Sequence, residues 1–235
     1  MKTAFIIPLL LFATVGAYQQ TVYTLGDFVA IDGDSLKLRY DSALAQGRQG
    51  NTDSFWVAYE MSRRPNVRSN SVDGIDVVQA STPDRIGIFM LVRKSDGVID
   101  KLRIVDLSGD IRVHDRKVYW LGKPNSDESA TLLLNIARTS TATQVRKDAI
   151  FWLGQEVSTL AGNELEKLAS NDPEVEVQKQ AVFALSLRKN DESIPTLIRI
   201  AKEHHNLAVR QQAIFWLGQK RDPRVLDFFE QFLKK

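Results

Sequence analysis

Cysteine is absent from all 235 residues, which excludes disulfides, thiolate zinc sites and thiol nucleophiles. Histidine is nearly absent too, with His114, His204 and His205 alone and no H-E-x-x-H spacing. There is no G-x-S-x-G elbow, no phosphate-binding glycine loop and no G-x-G-x-x-G fingerprint. Charge of one sign is lacking as well: 31 Lys and Arg face 29 Asp and Glu, so no basic footprint argues for nucleic acid. No apolar run reaches the roughly 20 residues that span a bilayer, and no N-x-S/T sequon occurs. With no nucleophile, base and orienter to assemble, the composition argues against an enzyme and implies no cofactor.

The first segment has its own character. "MKTAFIIPLLLFATVGAYQQ" carries one Lys, an apolar run from Phe5 to Phe12 and the small-residue pattern Val15-Gly16-Ala17. That is the layout of a secretory signal peptide over residues 1–17, with Tyr18 as the mature N-terminus. Cleavage would take Lys2 and no acid, lowering the net charge from +2 to +1. An exported chain without disulfides fits a bacterial envelope, periplasmic or secreted, better than eukaryotic secretion.

What the chain does have is repetition. "VRQQAIFWLGQ" (Val209 to Gln219) repeats "VRKDAIFWLGQ" (Val145 to Gln155); between them lies "VQKQAVFALSL" from Val177, and before them "VHDRKVYWLGK" from Val113. The four starts are thirty-two residues apart without insertion. The intervening segments keep the step: Leu133, Leu165, Leu197 and Phe229 correspond, as do Ile136, Leu168, Ile200 and Phe232. Two helices per unit, joined by polar turns, make an α-solenoid whose faces are buried only by stacking.

The Val-Arg-x-x-Ala-x-x-x-Leu-Gly pattern, with Pro173, Pro195 and Pro223 in or before the first helix of a unit, resembles bacterial HEAT-like repeats of the short, phycobilisome-lyase type. The resemblance covers about 112–235. It implies a helical-repeat architecture and, as an alternative function, a lyase-like or chromophore-handling protein. The third copy departs from the pattern at Ala184 and Ser186. The first has His114 and Lys117 where Arg and Ala belong, which leaves its helix short or partly extended. "RDPRVLDFFEQFLKK" reads as a capping helix over 222–235 with a polar outer face.

At about 100° per residue, Val145, Ala149, Trp152 and Leu153 fall on one apolar stripe, with Ile150 on its shoulder. Phe151 lies instead on the polar face, between Lys147 and Asp148. The position is aromatic in every copy: Tyr119, Phe151, Phe183 and Phe215. Two readings stand: rings packed between neighbouring units, or a row of rings on a concave binding surface. On the second, Lys147, Lys179 and Gln211 flank the rings as candidate partner contacts. Arg146 and Arg210, with Gln178 in the third copy, are expected to tie adjacent units through carboxylates or helix-end carbonyls. Gly122, Gly154 and Gly218 are expected to cap their helices.

Residues 18–111 lack the repeat. Short apolar or alternating runs, among them "SLKLRY", "SFWVAYEM", "RIGIFMLV" and "VIDKLRIVDL", are punctuated by Gly and Asp and predict a small, mainly antiparallel β domain. A hairpin is expected around Ser95-Asp96-Gly97, and one short helix or a loop in "YDSALAQGRQGNTDS". Arg63, Arg64 and Arg68 read as solvated charges at a strand end. Glu203, His204 and His205 read as a solvated turn. Asp32 and Asp34 read as an acidic turn, because the glutamate that would complete a calcium loop is missing.

The fold class expected is therefore α+β, a small antiparallel β-rich domain followed by an α-solenoid of 32-residue HEAT-like units. The expected function is an exported, non-catalytic interaction or scaffold module. Its partner is a protein or peptide of the cell envelope, with no nucleic acid and no stable membrane span after signal cleavage.

Overall fold

The structure is a computed structural model that describes residues 22–23, 28–61, 75–77, 85–108, 111–113 and 116–234. The expected signal peptide, Arg63, Arg64, Arg68 and His114 lie outside them. Two small sheets precede a run of helices. One sheet joins β1 (Val22–Tyr23), β4 (Ile75–Val77) and β7 (Ile111–Val113) in the order β1-β7-β4. The other joins β2 (Val29–Ala30), β3 (Ser54–Met61), β5 (Ile86–Arg93), β6 (Ile99–Asp106) and β8 (Val118–Trp120) in the order β2-β8-β3-β5-β6.

The larger sheet is mixed, which corrects the antiparallel expectation. β3, β5 and β6 are antiparallel, whereas β8 runs parallel to both β2 and β3. β5 and β6 form the expected hairpin, closed by Arg93 N–H to the Val98 carbonyl at 2.8 Å and by Gly97 at φ 78. β3 is the central strand. Every residue from Phe55 to Met61 is buried, and period-two alternation sends them to two different cores. Phe55, Val57, Tyr59 and Met61, with Ile86, Ile88, Met90 and Val92 of β5, face the helices. Trp56, Ala58 and Phe89 face away, into a second cluster with Ile111 and Val113 of the smaller sheet.

β8 is the first copy of the repeated pattern, and it is a strand. With Lys117 where the later copies carry Ala, and Val118 and Tyr119 favouring extended backbone, the segment completes β3 rather than starting a helix. The strands thus continue past residue 112 to Trp120. "SLKLRY" departs the other way, as the start of α1 (Leu36–Gly47). Ser35 caps it by accepting the Leu38 N–H at 3.3 Å. Leu36 and Ala43 are buried, and Tyr40 and Leu44 pack on the same core, which is helical rather than alternating spacing.

Seven helices follow: α2 (Ser126–Thr139), α3 (Thr143–Gln155), α4 (Thr159–Asn171), α5 (Val175–Ser186), α6 (Asn190–Glu203), α7 (Leu207–Gly218) and α8 (Pro223–Leu233). They pair as α2/α3, α4/α5 and α6/α7. The apolar stripe is core as expected: Val145, Val177 and Val209, then Ala149, Ala181 and Ala213, then Leu153, Leu185 and Leu217 are all buried. Leu133, Leu165 and Leu197 meet them from the partner helices. One hydrophobic cluster runs from the sheet through every helix pair, so the sheet covers the first pair. α8 starts as expected, with Asp222 accepting the Arg224 N–H at 3.0 Å and Pro223 in the first turn. Its outer surface is less polar than expected, because Leu226 and Phe232 are exposed.

Candidate interaction surface

α3, α5 and α7 lie side by side and pack directly on one another. A chain of rings crosses them. Trp152 meets Phe151 edge-on at 4.9 Å, and Phe151 stacks on Phe183 of the next unit at 5.9 Å and 26°. Phe183 stacks on Trp216 at 4.7 Å and 30°, and Trp216 meets Phe215 edge-on at 4.9 Å. Where both rings are half-buried, as in Phe151–Phe183 and Phe183–Trp216, such arrangements add about 0.5–1.5 kcal/mol per pair beyond burial. Phe151, Phe183 and Trp216 are half-buried, and Phe215 is 55% exposed. Phe151 and Phe183 therefore pack between units and still present ring surface.

Tyr119 does not join them. It is 4% exposed within β8 and packs edge-on against Phe55 at 5.5 Å, because a strand in a central position puts it into the sheet–helix core. Lys147 and Lys179 are half-buried, with Lys179 paired to Glu176 at 2.9 Å, and Gln211 is exposed. Asp148, beside Lys147, accepts from Gln144 at 2.7 Å. Burial raises its carboxyl above the usual range against the pull of Gln144, of Arg103 on β6 and of Lys147.

None of the three register glycines is the expected cap; α7 includes Gly218 and is capped by Gln219. Gly122 sits at φ 74 after β8, a conformation that favours glycine. Gly154 lies inside α3, where an added Cβ would come within 2.8 Å of the Ala184 carbonyl and 2.9 Å of the Ala184 Cβ. Ala184 is thus the small partner that lets α5 approach α3, and Trp216 of the following unit supplies the ring that the third copy lacks. Gly218 ends α7 in open space, where an added Cβ would meet nothing within 4 Å.

Of the three expected inter-unit ties, Arg146 is one, whereas Gln178 and Arg210 bond the helix-end carbonyl of the partner helix in their own unit. Arg146 donates to the Ala137 carbonyl at 2.7 Å, to Glu174 at 2.6 Å and to Asp172. Gln178 donates to the Asp172 carbonyl at 2.8 Å, and Arg210 to the His204 carbonyl at 2.5 Å. A second ladder has no counterpart in the expectations. Arg188 donates to the carbonyls of Glu156 at 3.1 Å and Ser158 at 2.8 Å, and Lys220 donates to the Arg188 carbonyl at 3.3 Å. Glu156, Arg188 and Lys220 are themselves thirty-two residues apart. The spacing is readable in the sequence, but the three residue types differ and hide it.

Glu156 anchors the first of these loops to the sheet. Its carboxyl bonds the Ser129 hydroxyl of α2, which also bonds the Tyr59 phenol of β3 at 3.0 Å. All three are buried. Burial pushes the Glu156 carboxyl up to about 7, opposed by Ser129 and Arg188 and assisted by Asp127. Burial, and then the charge of Glu156, push the Tyr59 phenol up.

His204 and His205 stack at 4.3 Å. His204 is buried and its Nδ1 accepts the Asn206 N–H at 3.1 Å, so this turn is less solvated than expected. Among the described residues no group of three or more His, Asp or Glu side chains is placed to hold a metal ion, and no helix is long and apolar enough to cross a membrane. Compared with known families, residues 162–235 match HEAT repeats. No curated protein matches the chain.

Proposed function

We propose that this chain is a non-catalytic helical-repeat module that holds a protein or peptide partner across α3, α5 and α7. The observation that carries the reading is the ring run Phe151–Phe183–Trp216–Phe215, half-buried at one end and exposed at the other. Aromatic side chains with polar neighbours contribute most at protein interfaces, and Lys147, Lys179 and Gln211 are those neighbours. α3, α5 and α7 pack more closely together than α2, α4, α6 and α8 do. Such asymmetry bends a stack toward its tighter layer, the sense expected of an α-solenoid with this surface on its concave side. The match of residues 162–235 to HEAT repeats supports a protein partner. The make-up of Met1–Ala17 supports export and a partner in the cell envelope.

The test is capture from envelope extracts by the mature chain, compared with Phe215→Glu and Lys179→Glu. Phe215 is exposed, so folding is unaffected and the melting temperature stays at the parent value. A partner retained equally by parent and both variants sinks the proposed surface.

A further inference from the structure

α1 and α2 line a half-open cleft of about 830 Å³ outside the ring-bearing layer, within the size range of small-ligand sites. Its apolar wall is Leu36, Tyr40 and Leu132, all seated on the main core. Its rim carries Asp41, Asp127 and Glu128 against one cation, Lys37.

The walls are held in place by the protein's own bonds. Glu128 Oε1 accepts the Leu36 N–H at 2.8 Å, and Oε2 accepts the Asn125 side-chain amide at 3.0 Å. One carboxylate therefore caps the starts of both helices and sets their separation. Its charge also offsets the positive ends of the two helix dipoles, so it is spent structurally. Asp127 accepts Ser158 Oγ at Oδ1, and Asp41 accepts Lys37 Nζ at Oδ2 at 2.6 Å. The second of these pairs is exposed on both sides and contributes little, so an incoming cation can displace Lys37.

We propose that this cleft binds a small apolar amine, its hydrocarbon body against Leu36, Leu132 and Tyr40 and its ammonium group at the Asp41 and Asp127 rim. An ammonium ion gains there from carboxylate charge and from the aromatic surface of Tyr40. A carboxylate ligand of the same shape would meet three acids and one lysine, and a neutral one would gain only burial. The site does not depend on the ring surface of α3, α5 and α7, so either can fail without the other.

The experiment titrates the full ¹⁵N-labelled chain at low salt with 2-phenylethylammonium, 2-phenylethanol and 3-phenylpropanoate, following amide shifts. The amine is expected to give saturable shifts centred on α1 and the first turns of α2, and to bind about tenfold tighter than the acid, as one favourable charge contact implies. Leu132→Trp, which reshapes the apolar wall that Leu132 forms with Leu36 and Tyr40, weakens the amine several-fold while the amides of α7 keep their parent shifts. Asp41→Asn, at an exposed position, weakens the amine several-fold and leaves the alcohol unchanged. No saturation with the amine, equal or tighter binding of 3-phenylpropanoate, shifts centred elsewhere, or an amine affinity untouched by Asp41→Asn would each overturn the proposal.

Discussion

Val113–Lys123 and Val145–Gln155 carry the same pattern of Val, aromatic pair, Leu and Gly, yet the first holds strand β8 and the second is a helix. Leu121 and Leu153 are both fully buried in one core. Tyr119 and Phe151 part company: the first is locked against Phe55 and the second stacks outward on Phe183. An apolar spacing does not choose its own secondary structure when two partners are on offer. Here β3 offers an edge with unmet backbone groups, and β8 meets them through Trp56 N–H to the Lys117 carbonyl at 3.0 Å and Leu121 N–H to the Ala58 carbonyl at 2.8 Å.

The contrast can be broken at several places. Tyr119→Ala should cost about 3–5 kcal/mol, the toll of emptying a buried aromatic site, read as a drop in the denaturant midpoint. A loss below about 1 kcal/mol would mean that Tyr119 is not in the core. Glu156 comes next. Its carboxyl is about 7 in the fold against an ordinary value of 4.5, so the folded state holds a proton that the unfolded state has released. Stability therefore falls as pH rises from about 4.5 to about 7 and levels off above, by about 3 kcal/mol in all. Glu156→Gln should flatten that slope in melting curves taken from pH 4.5 to 8, and an unchanged slope would assign the titration to another group.

The register glycines sharpen the comparison at smaller scale. Gly154→Leu should cost about 1–3 kcal/mol by driving α3 from α5. Gly218→Ala, in open space, should leave stability within about 1 kcal/mol of the parent or raise it. Equal effects in thermal melts would erase the distinction between them. Smallest of all, Phe215→Ala should stay within about 0.5 kcal/mol, as exposed positions do, in direct contrast to Tyr119→Ala at the same place in the pattern.

Much of this is legible in the sequence. The thirty-two-residue step locates the buried Val, Ala and Leu rows, and the guanidinium of Arg146 reaches the next unit's Asp172 and Glu174 as its place in the pattern implies. The hairpin at Gly97 is legible because its turn is local. "SLKLRY" misleads because six residues suit either period, and the deciding contacts of Leu36 and Tyr40 are made with residues far along the chain. Of the ring surface, Phe151, Phe183 and Phe215 are readable from the fixed step. Helical spacing puts Trp216 wholly in the core, whereas in the fold it is the ring that joins Phe183 to Phe215.

The amino-acid sequence alone determined the repeat register, the apolar stripe and the residues able to tie unit to unit, since all follow from spacing along one helix. Only the tertiary structure decided that the first copy is a strand, that Gly154 is a contact rather than a cap, and that Glu156 is buried beside Ser129 and Tyr59. Each of those depends on which distant backbone or side chain arrives alongside, and burial against such a neighbour outweighs the fractions of a kcal/mol by which local propensities differ.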